Sequence, residues 1–434
     1  MPLREDADAI AGELAELRHA IHREPEIGLD LPLTQEKVLA ALDGLPMEIS
    51  TGRKLSSVTA VLRGRAEDGR AEDGGTEDGG TEDGGTLDGR AARGGADGNR
   101  DGARPSVLLR GDMDALPVTE LTGLPYASRF EGVMHACGHD LHTAMLAGAA
   151  RLLCGRRAEL AGDVIFMFQP GEEGYSGADK MIGEGVLDAA GERWPVAAYA
   201  LHVSSTQLPC GVFTTKPGPM LAAADIIRVT VRGRGGHASQ PHLAADPITA
   251  ACEMVTALQT LVTRRFDVFD PVVVTVGSFH AGTTDNVIPD EAQFLGTARS
   301  FSPAARARLK DTIVGLVNDI AGAHGVTAQA EYIEEYPVTV NDETEAAFAR
   351  TVAAETFGEL RSVPKQFPQT GAEDFSYILQ HVPGAFISVG ACPPDRDPAT
   401  APSNHSAEAV FDDAVLADGS ALYAELAMRR LAVA

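Results

Sequence analysis

Positive charge is what this chain has least of for its size. Lys and Arg number 36 against 62 Asp and Glu, for a formal net charge of −26. That balance disfavours nucleic acid, whose binding rests on cationic contacts to phosphate, and it disfavours anionic membrane surfaces. No stretch approaches 18 uninterrupted apolar residues, so no membrane span is expected. The opening residues, Met1-Pro-Leu-Arg-Glu-Asp-Ala-Asp8, are acidic and lack an apolar signal core, so no secretory signal is expected. Cysteine is scarce too. The 5 Cys, at 137, 154, 210, 252 and 392, are odd in number, widely spaced and never in a CxxC. That excludes a disulfide framework and points to a reducing, cytoplasmic setting.

What is present suits a globular protein. The 434 residues exceed one ordinary core, so two domains are expected. Residues 66–90 form tandem acidic pentads, AEDGR, AEDGG, TEDGG, TEDGG and TLDGR. The wider segment 65–104 has one Leu and no aromatic, too little apolar surface to offset ordering entropy. It reads as a flexible acidic loop between two strands, affordable because closure entropy grows only logarithmically with length. A calcium-binding repeat is the weaker alternative, since alternating ligands and a fixed terminal Glu are missing.

The densest chemistry lies in His135-Ala-Cys-Gly-His-Asp-Leu-His142. A strand, Ser106-Val-Leu-Leu-Arg110, precedes it and ends in Gly111-Asp-Met-Asp114. A helix over 140–154, capped by Asp140, is expected to follow. Thiolate and imidazole together make a borderline-soft site for a divalent metal. Asp163-Val-Ile-Phe-Met-Phe168 reads as a strand buried on both faces, running into Gln169-Pro-Gly-Glu-Glu-Gly174. Val196-Ala-Ala-Tyr-Ala-Leu201 is another, ending at His202. Three strands thus end in metal-friendly or acid/base residues, where open α/β sheets bind ligands. Of the adjacent carboxylates Glu172 and Glu173, one can bind metal while the other serves as base toward an activated water. Cys137, His139, Glu173, His202 and His405 supply five donors, enough for two metals sharing a bridging thiolate. Asp114 could orient a ligating His. His135 and His142 read as supporting or packing residues, as do His19 and His22 in a first helix over 8–24. A second helix over 34–43 would be capped by Thr34.

From residue 222 the order is β-α-β-β-α-β: strand 225–231, helix 246–264, strands 271–279 and 291–300, helix 303–323, strand 327–336. That order is ferredoxin-like. The expected fold is α/β, and the family resemblance set out below implies a mixed-sheet metallopeptidase-like catalytic domain over 1–221 and 338–434. A smaller ferredoxin-like α+β domain over 222–337 is inserted within it. The return brings helices at 342–358 and 371–380, a strand Ala385-Phe-Ile-Ser-Val389 and a last helix over 412–431.

Several motifs, in order along nearly the whole chain, carry a resemblance. They are Leu17-Arg-His-Ala-Ile-His-Arg-Glu-Pro-Glu26, Arg110-Gly-Asp-Met-Asp-Ala-Leu-Pro117, Met134-His-Ala-Cys-Gly-His-Asp-Leu-His142 and Phe168-Gln-Pro-Gly-Glu-Glu-Gly174. Ala200-Leu-His202, Gly235-Gly-His-Ala-Ser239, Asp285-Asn-Val-Ile-Pro-Asp290, Gly296-Thr-Ala-Arg299, Gly371-Ala-Glu-Asp-Phe375 and Asn404-His-Ser406 complete the set. The chain resembles the metal-dependent aminoacylase/carboxypeptidase family, in the branch of hippurate hydrolases, N-acyl-amino-acid amidohydrolases and auxin-conjugate hydrolases. The resemblance implies metal ligands at Cys137, His139, Glu173, His202 and His405, with Cys137 bridging two divalent ions (zinc, manganese, cobalt or nickel). It implies Glu172 as general base and Asp114 in support. His237 would reach a partner's active site in a homodimer formed through the inserted domain and help polarise the scissile carbonyl. Asn286, Arg299 and Gly371 fall on the substrate side, Arg299 suiting a free carboxylate. Relatives outside this branch carry His at position 112 and Asp at 137. The implied substrate is a small N-acyl or N-aroyl amino acid. The alternatives are a dipeptidase or carboxypeptidase using the same site, or a non-catalytic acyl-amino-acid binder. A zinc nucleobase deaminase is excluded by the missing PCxxC.

Overall fold

The computed structural model describes residues 3–65 and 104–434. The expected acidic loop, apart from Arg65 and Arg104, falls outside the described residues. Two helices open the chain, α1 (Leu3–Arg23) and α2 (Pro32–Leu42). The buried stripe of α1 includes Leu3, Ala7, Leu14, Arg18 and Ile21, so a guanidinium sits inside a helical apolar pattern. Thr34 does not cap α2. The helix begins two residues earlier, and the Glu26 carboxylate accepts the Leu33 and Thr34 amides from outside it, at 3.1 and 2.8 Å.

Strands β1 (Glu48–Thr51), β2 (Val58–Leu62), β3 (Ser106–Asp112), β4 (Asp163–Gln169), β5 (Ala197–Pro209) and β6 (Phe213–Thr215) enter the main sheet. Helices α3 (His139–Gly155) and α4 (Gly177–Gly183) lie between them, and β7 (Gly218–Leu221) follows. A second unit then contains β8 (Ala223–Arg232), β9 (Gly236–His237), α5 (Pro247–Arg265), β10 (Val272–Ala281) and β11 (Val287–Ile288). It continues with β12 (Glu291–Ser300), α6 (Pro303–Ala323) and β13 (Thr327–Glu334). The chain returns through β14 (Thr339–Asn341), α7 (Glu343–Phe357), β15 (Ser362–Pro364), α8 (Ser376–Leu379), β16 (Gly384–Cys392) and α9 (Val415–Ala432).

The main sheet runs β1-β2-β4-β3-β5-β16-β6-β15. Its centre, β4-β3-β5-β16, is parallel, and β1, β2 and β4 pair antiparallel, so the sheet is mixed. Side-chain alternation divides it into two cores. Val107, Leu109, Phe166, Phe168, Tyr199 and Ile387 pack with α1, α3 and α9. Leu108, Ile165, Met167, Ala198 and Phe386 face the other way, with Met181 and Ile378. The second unit has its own antiparallel sheet, β10-β12-β8-β13, the strand order of a ferredoxin-like fold. Its core joins Ile227, Val229 and Phe294 to Met254, Leu258, Leu309 and Ile313 of α5 and α6. No described helix is long and apolar enough to cross a membrane.

Three local readings change. His202 does not end its strand: β5 runs on to Pro209, and β3 stops pairing with it at Ala200. His202 therefore lies just past the shared stretch, at the carboxyl end of its neighbour. Asp140 does not cap α3, which starts at His139 after Gly138 with φ +84°. The helix expected over 371–380 shrinks to the single turn of α8.

Candidate metal centre

The carboxyl ends of β3 and β4, the start of α3 and the loop after β16 meet at one place. Sheet order brings β3 and β4 side by side, so Asp112 and Asp114 face the turn Gln169–Gly174. Asp114 holds that turn. Its two carboxylate oxygens accept the amides of Glu172 at 2.9 Å and Glu173 at 3.0 Å. Its carbonyl accepts Nδ1–H of His139 at 2.8 Å. His202 donates Nδ1–H to the Val203 carbonyl at 2.9 Å. Both imidazoles are thereby fixed with the Nε2 lone pair free, the arrangement metal-binding histidines use.

Cys137 belongs to two donor triads, one with His139 and His202, the other with Glu173 and His405. Its Sγ lies 3.5 Å from His202 Nε2 and 3.3 Å from His405 Nε2. His405 Nε2 is also 3.0 Å from Glu173 Oε1. His139 Nε2 is buried and has no hydrogen-bond partner among the described residues. An unpaired buried nitrogen is costly, and a cation satisfies it. The residues therefore fit two ions sharing the Cys137 sulfur, and the N, S and O mixture suits a borderline transition metal. His405 adopts φ +70°, an uncommon conformation for a non-glycine residue. Asn404 stabilises that loop by donating to the carbonyls of Cys137 at 3.2 Å and Val203 at 3.0 Å. His405 is 53 % exposed whereas His139 is fully buried, so the cluster opens to solvent on the His405 side.

The electrostatics agree. His405, hydrogen-bonded to Cys137 and Glu173, is pushed up to about 10. Burial disfavours a charged His139, yet Asp112 and Cys137 outweigh it and hold its pKa well above the ordinary range. A field that favours imidazolium at His139 and His405 favours a divalent cation there, while burial, and then His142, hold His202 well below the ordinary histidine range and so neutral. Burial, and then the neighbouring Glu373 and Glu173 charges, raise Glu172 well above the usual carboxylate range. Glu172, Glu173 and His139 present ligand atoms within 4.8 Å of one another.

His142 is not available as a donor. It gives Nδ1–H to Asp112 at 2.6 Å and accepts the Val203 amide on Nε2 at 2.8 Å. His135 is buried, and burial lowers it to about 3. Beneath the site Arg110 is fully buried and donates to Asp112, Glu373, Asp374 and Gln169. Sequence reasoning assigned no role to Arg110, Glu373 or Asn404. The available signal was a lone arginine ending an apolar strand, which must be paired if buried. His237, Asn286 and Arg299 lie on the second unit, and none of their hydrogen bonds or ion pairs joins them to the cluster. The Gly371 carbonyl accepts the Ala222 amide at 2.9 Å, where the chain crosses into that unit.

Comparison with known proteins extends this picture. The chain is 33 % identical to thermostable carboxypeptidase 2 of Saccharolobus solfataricus over 430 residues, 98 % of each chain. It is 40 % identical to the IAA-amino acid hydrolase ILR1-like 4 of Arabidopsis thaliana over 334 residues, 76 % of this chain and 74 % of the relative. It is 39 % identical to the N-acetyl-L-cysteine deacetylase of Bacillus subtilis over 286 residues, 66 % of this chain and 67 % of the relative. Among solved structures, a Bacillus subtilis protein described as a dinuclear metal-binding peptidase superposes with a TM-score of 0.77. It is 30 % identical, over 98 % of this chain and all of that one. The sequence model of peptidase family M20/M25/M40 matches residues 108–429, a span that runs from β3 beyond His405. The chain belongs to that family and is a metal-dependent amidohydrolase.

Proposed function

We propose that the enzyme hydrolyses N-acyl or N-aroyl amino acids of the hippurate type, releasing a carboxylic acid and a free amino acid. The observation that carries this reading is the buried Glu172 carboxyl beside two donor triads that share Cys137. Cys137, His139 and His202 would hold one ion, and Cys137, Glu173 and His405 the other. Bound there, divalent ions supply Lewis acidity toward the acyl oxygen and bring the pKa of water to roughly 7. Glu172 takes the proton from the attacking water and delivers it to the leaving amine. Asp114 keeps that carboxyl in place through the Glu172 amide. The Arg299 guanidinium, which donates to the Thr297 hydroxyl and the Ala298 carbonyl and lies within electrostatic reach of the Glu335 carboxyl, suits the free carboxylate of the substrate. Asn286 and Gly371 would complete the substrate side, and His237 would serve a partner subunit's centre in a homodimer formed through the second unit.

Two relatives named for acylated amino acids support this choice. The runner-up, a carboxypeptidase or dipeptidase, is favoured by the relative that spans 98 % of the chain. Assaying hippurate, N-acetyl amino acids and dipeptides side by side separates them. Turnover of the acyl amino acids is expected, and turnover of dipeptides alone would replace the proposal with the runner-up.

A further inference from the structure

Two backbone crossings join the second unit to the catalytic one, and the returning crossing touches the turn that carries Glu172. Tyr336 follows β13 by two residues and is buried. Its hydroxyl donates to the Glu172 carbonyl and accepts the amides of Gly174 at 2.7 Å and Ser176 at 3.4 Å. The Glu172 peptide is thus held from both sides, its amide by Asp114 and its carbonyl by Tyr336. Tyr336 itself is fixed by the crossing strands. Its carbonyl accepts the Ala224 amide at 2.9 Å, and the Glu335 amide donates to Ala224 at 3.2 Å. The Glu335 carbonyl accepts the Tyr377 hydroxyl at 2.8 Å and Arg306 at 3.3 Å. Arg306 in turn pairs with the buried Asp225 at 2.6 Å.

We infer that Tyr336 is a positioning residue for Glu172 and ties the placement of the catalytic carboxyl to the junction with the second unit. The physical basis is that Gly171 and Gly174 both take positive φ. A turn built on such residues is easily displaced, and one hydroxyl with three backbone contacts removes that freedom. This inference rests on the role proposed for Glu172. The test compares wild type, Tyr336→Phe and Tyr199→Phe as metal-loaded full chains. Tyr199 also donates a buried hydroxyl, to Glu345, but within the main core away from this turn. Hydrogen exchange across residues 170–178 is read together with kcat, KM and metal content.

For Tyr336→Phe the Gly174 and Ser176 amides should exchange roughly tenfold faster. Its kcat should fall roughly tenfold or more with KM and metal content held. Tyr199→Phe should leave both readouts unchanged. Wild-type exchange in Tyr336→Phe, faster exchange with kcat unmoved, or equal effects from Tyr199→Phe would each overturn the inference. A wild type that turns over no acyl amino acid would refute the proposed function instead, and the exchange data would still decide the tether.

Discussion

The sulfur of Cys137 is the residue on which the two donor triads depend. Each triad otherwise draws on different parts of the chain, His139 and His202 in one, Glu173 and His405 in the other. Removing a shared donor weakens both positions, whereas removing an unshared one leaves three donors elsewhere intact. Cys137→Ala is therefore expected to retain less metal than His405→Ala after dialysis against a weak chelator, measured by elemental analysis of the folded proteins. His405→Ala should keep the ion held by Cys137, His139 and His202. Equal retention in the two variants would argue against a bridging sulfur. The neighbouring imidazoles give the physical ground for keeping His139 as a donor and setting His142 aside. His139 and His142 differ at Nε2, which is free in His139 and accepts the Val203 amide in His142, and Val203 comes from a different element, β5.

At the scale of elements, α1 and α3 are joined by buried charge beneath the metal centre. Arg18 Nε donates to Asp140 at 2.7 Å, and His22 Nδ1 lies 2.8 Å from the same oxygen. Arg18 also reaches Tyr126 and Asp413. Replacing a buried charge strands its partner, at about 3–5 kcal/mol. Asp140→Asn should therefore lower the unfolding free energy from urea titration by an amount in that range, with Glu13→Gln, in an exposed pair, moving it little. A loss of unfolding free energy below about 1 kcal/mol would contradict the assignment. The same pair explains which elements were legible. Continuous apolar runs read correctly as β3, β4, β5 and β16, because burial on both faces leaves a pattern in the residues themselves. Asp140 and Thr34 were misread as caps because their side chains are committed to tertiary partners, which local capping preferences do not encode. β1 is exposed at every position and β6, β14 and β15 have three residues each, too little pattern to read. At the site, donor types were legible from chemistry. Tyr336 and Asn404 were not, because each acts on backbone atoms of residues far along the chain.

At the scale of the whole molecule, the residue that matters is one that lies outside the catalytic unit. His237 sits on the two-residue strand β9, paired with β11, and is exposed. Its Nδ1 accepts the Ser239 amide at 3.2 Å, and no hydrogen bond or ion pair among the described residues joins it to the cluster around Cys137. Asn286 lies beside it, its carbonyl accepting the Ala238 amide at 3.1 Å. His237 and Asn286 therefore flank one small ribbon of the second unit, and the homodimer proposed above would use that ribbon to reach the other subunit's centre. If His237 acts across such an interface, catalysis at one centre needs Glu172 from one chain and His237 from the other. Glu172→Gln and His237→Ala should each be nearly inactive as pure preparations. Mixed under conditions that exchange subunits, half of the dimers become hybrids, each with one intact centre, so activity should recover to about a quarter of wild type. Recovery should track the appearance of hybrids by native mass spectrometry. If His237 instead serves its own subunit, neither chain of a hybrid holds a complete site, and the mixture stays as inactive as its parents.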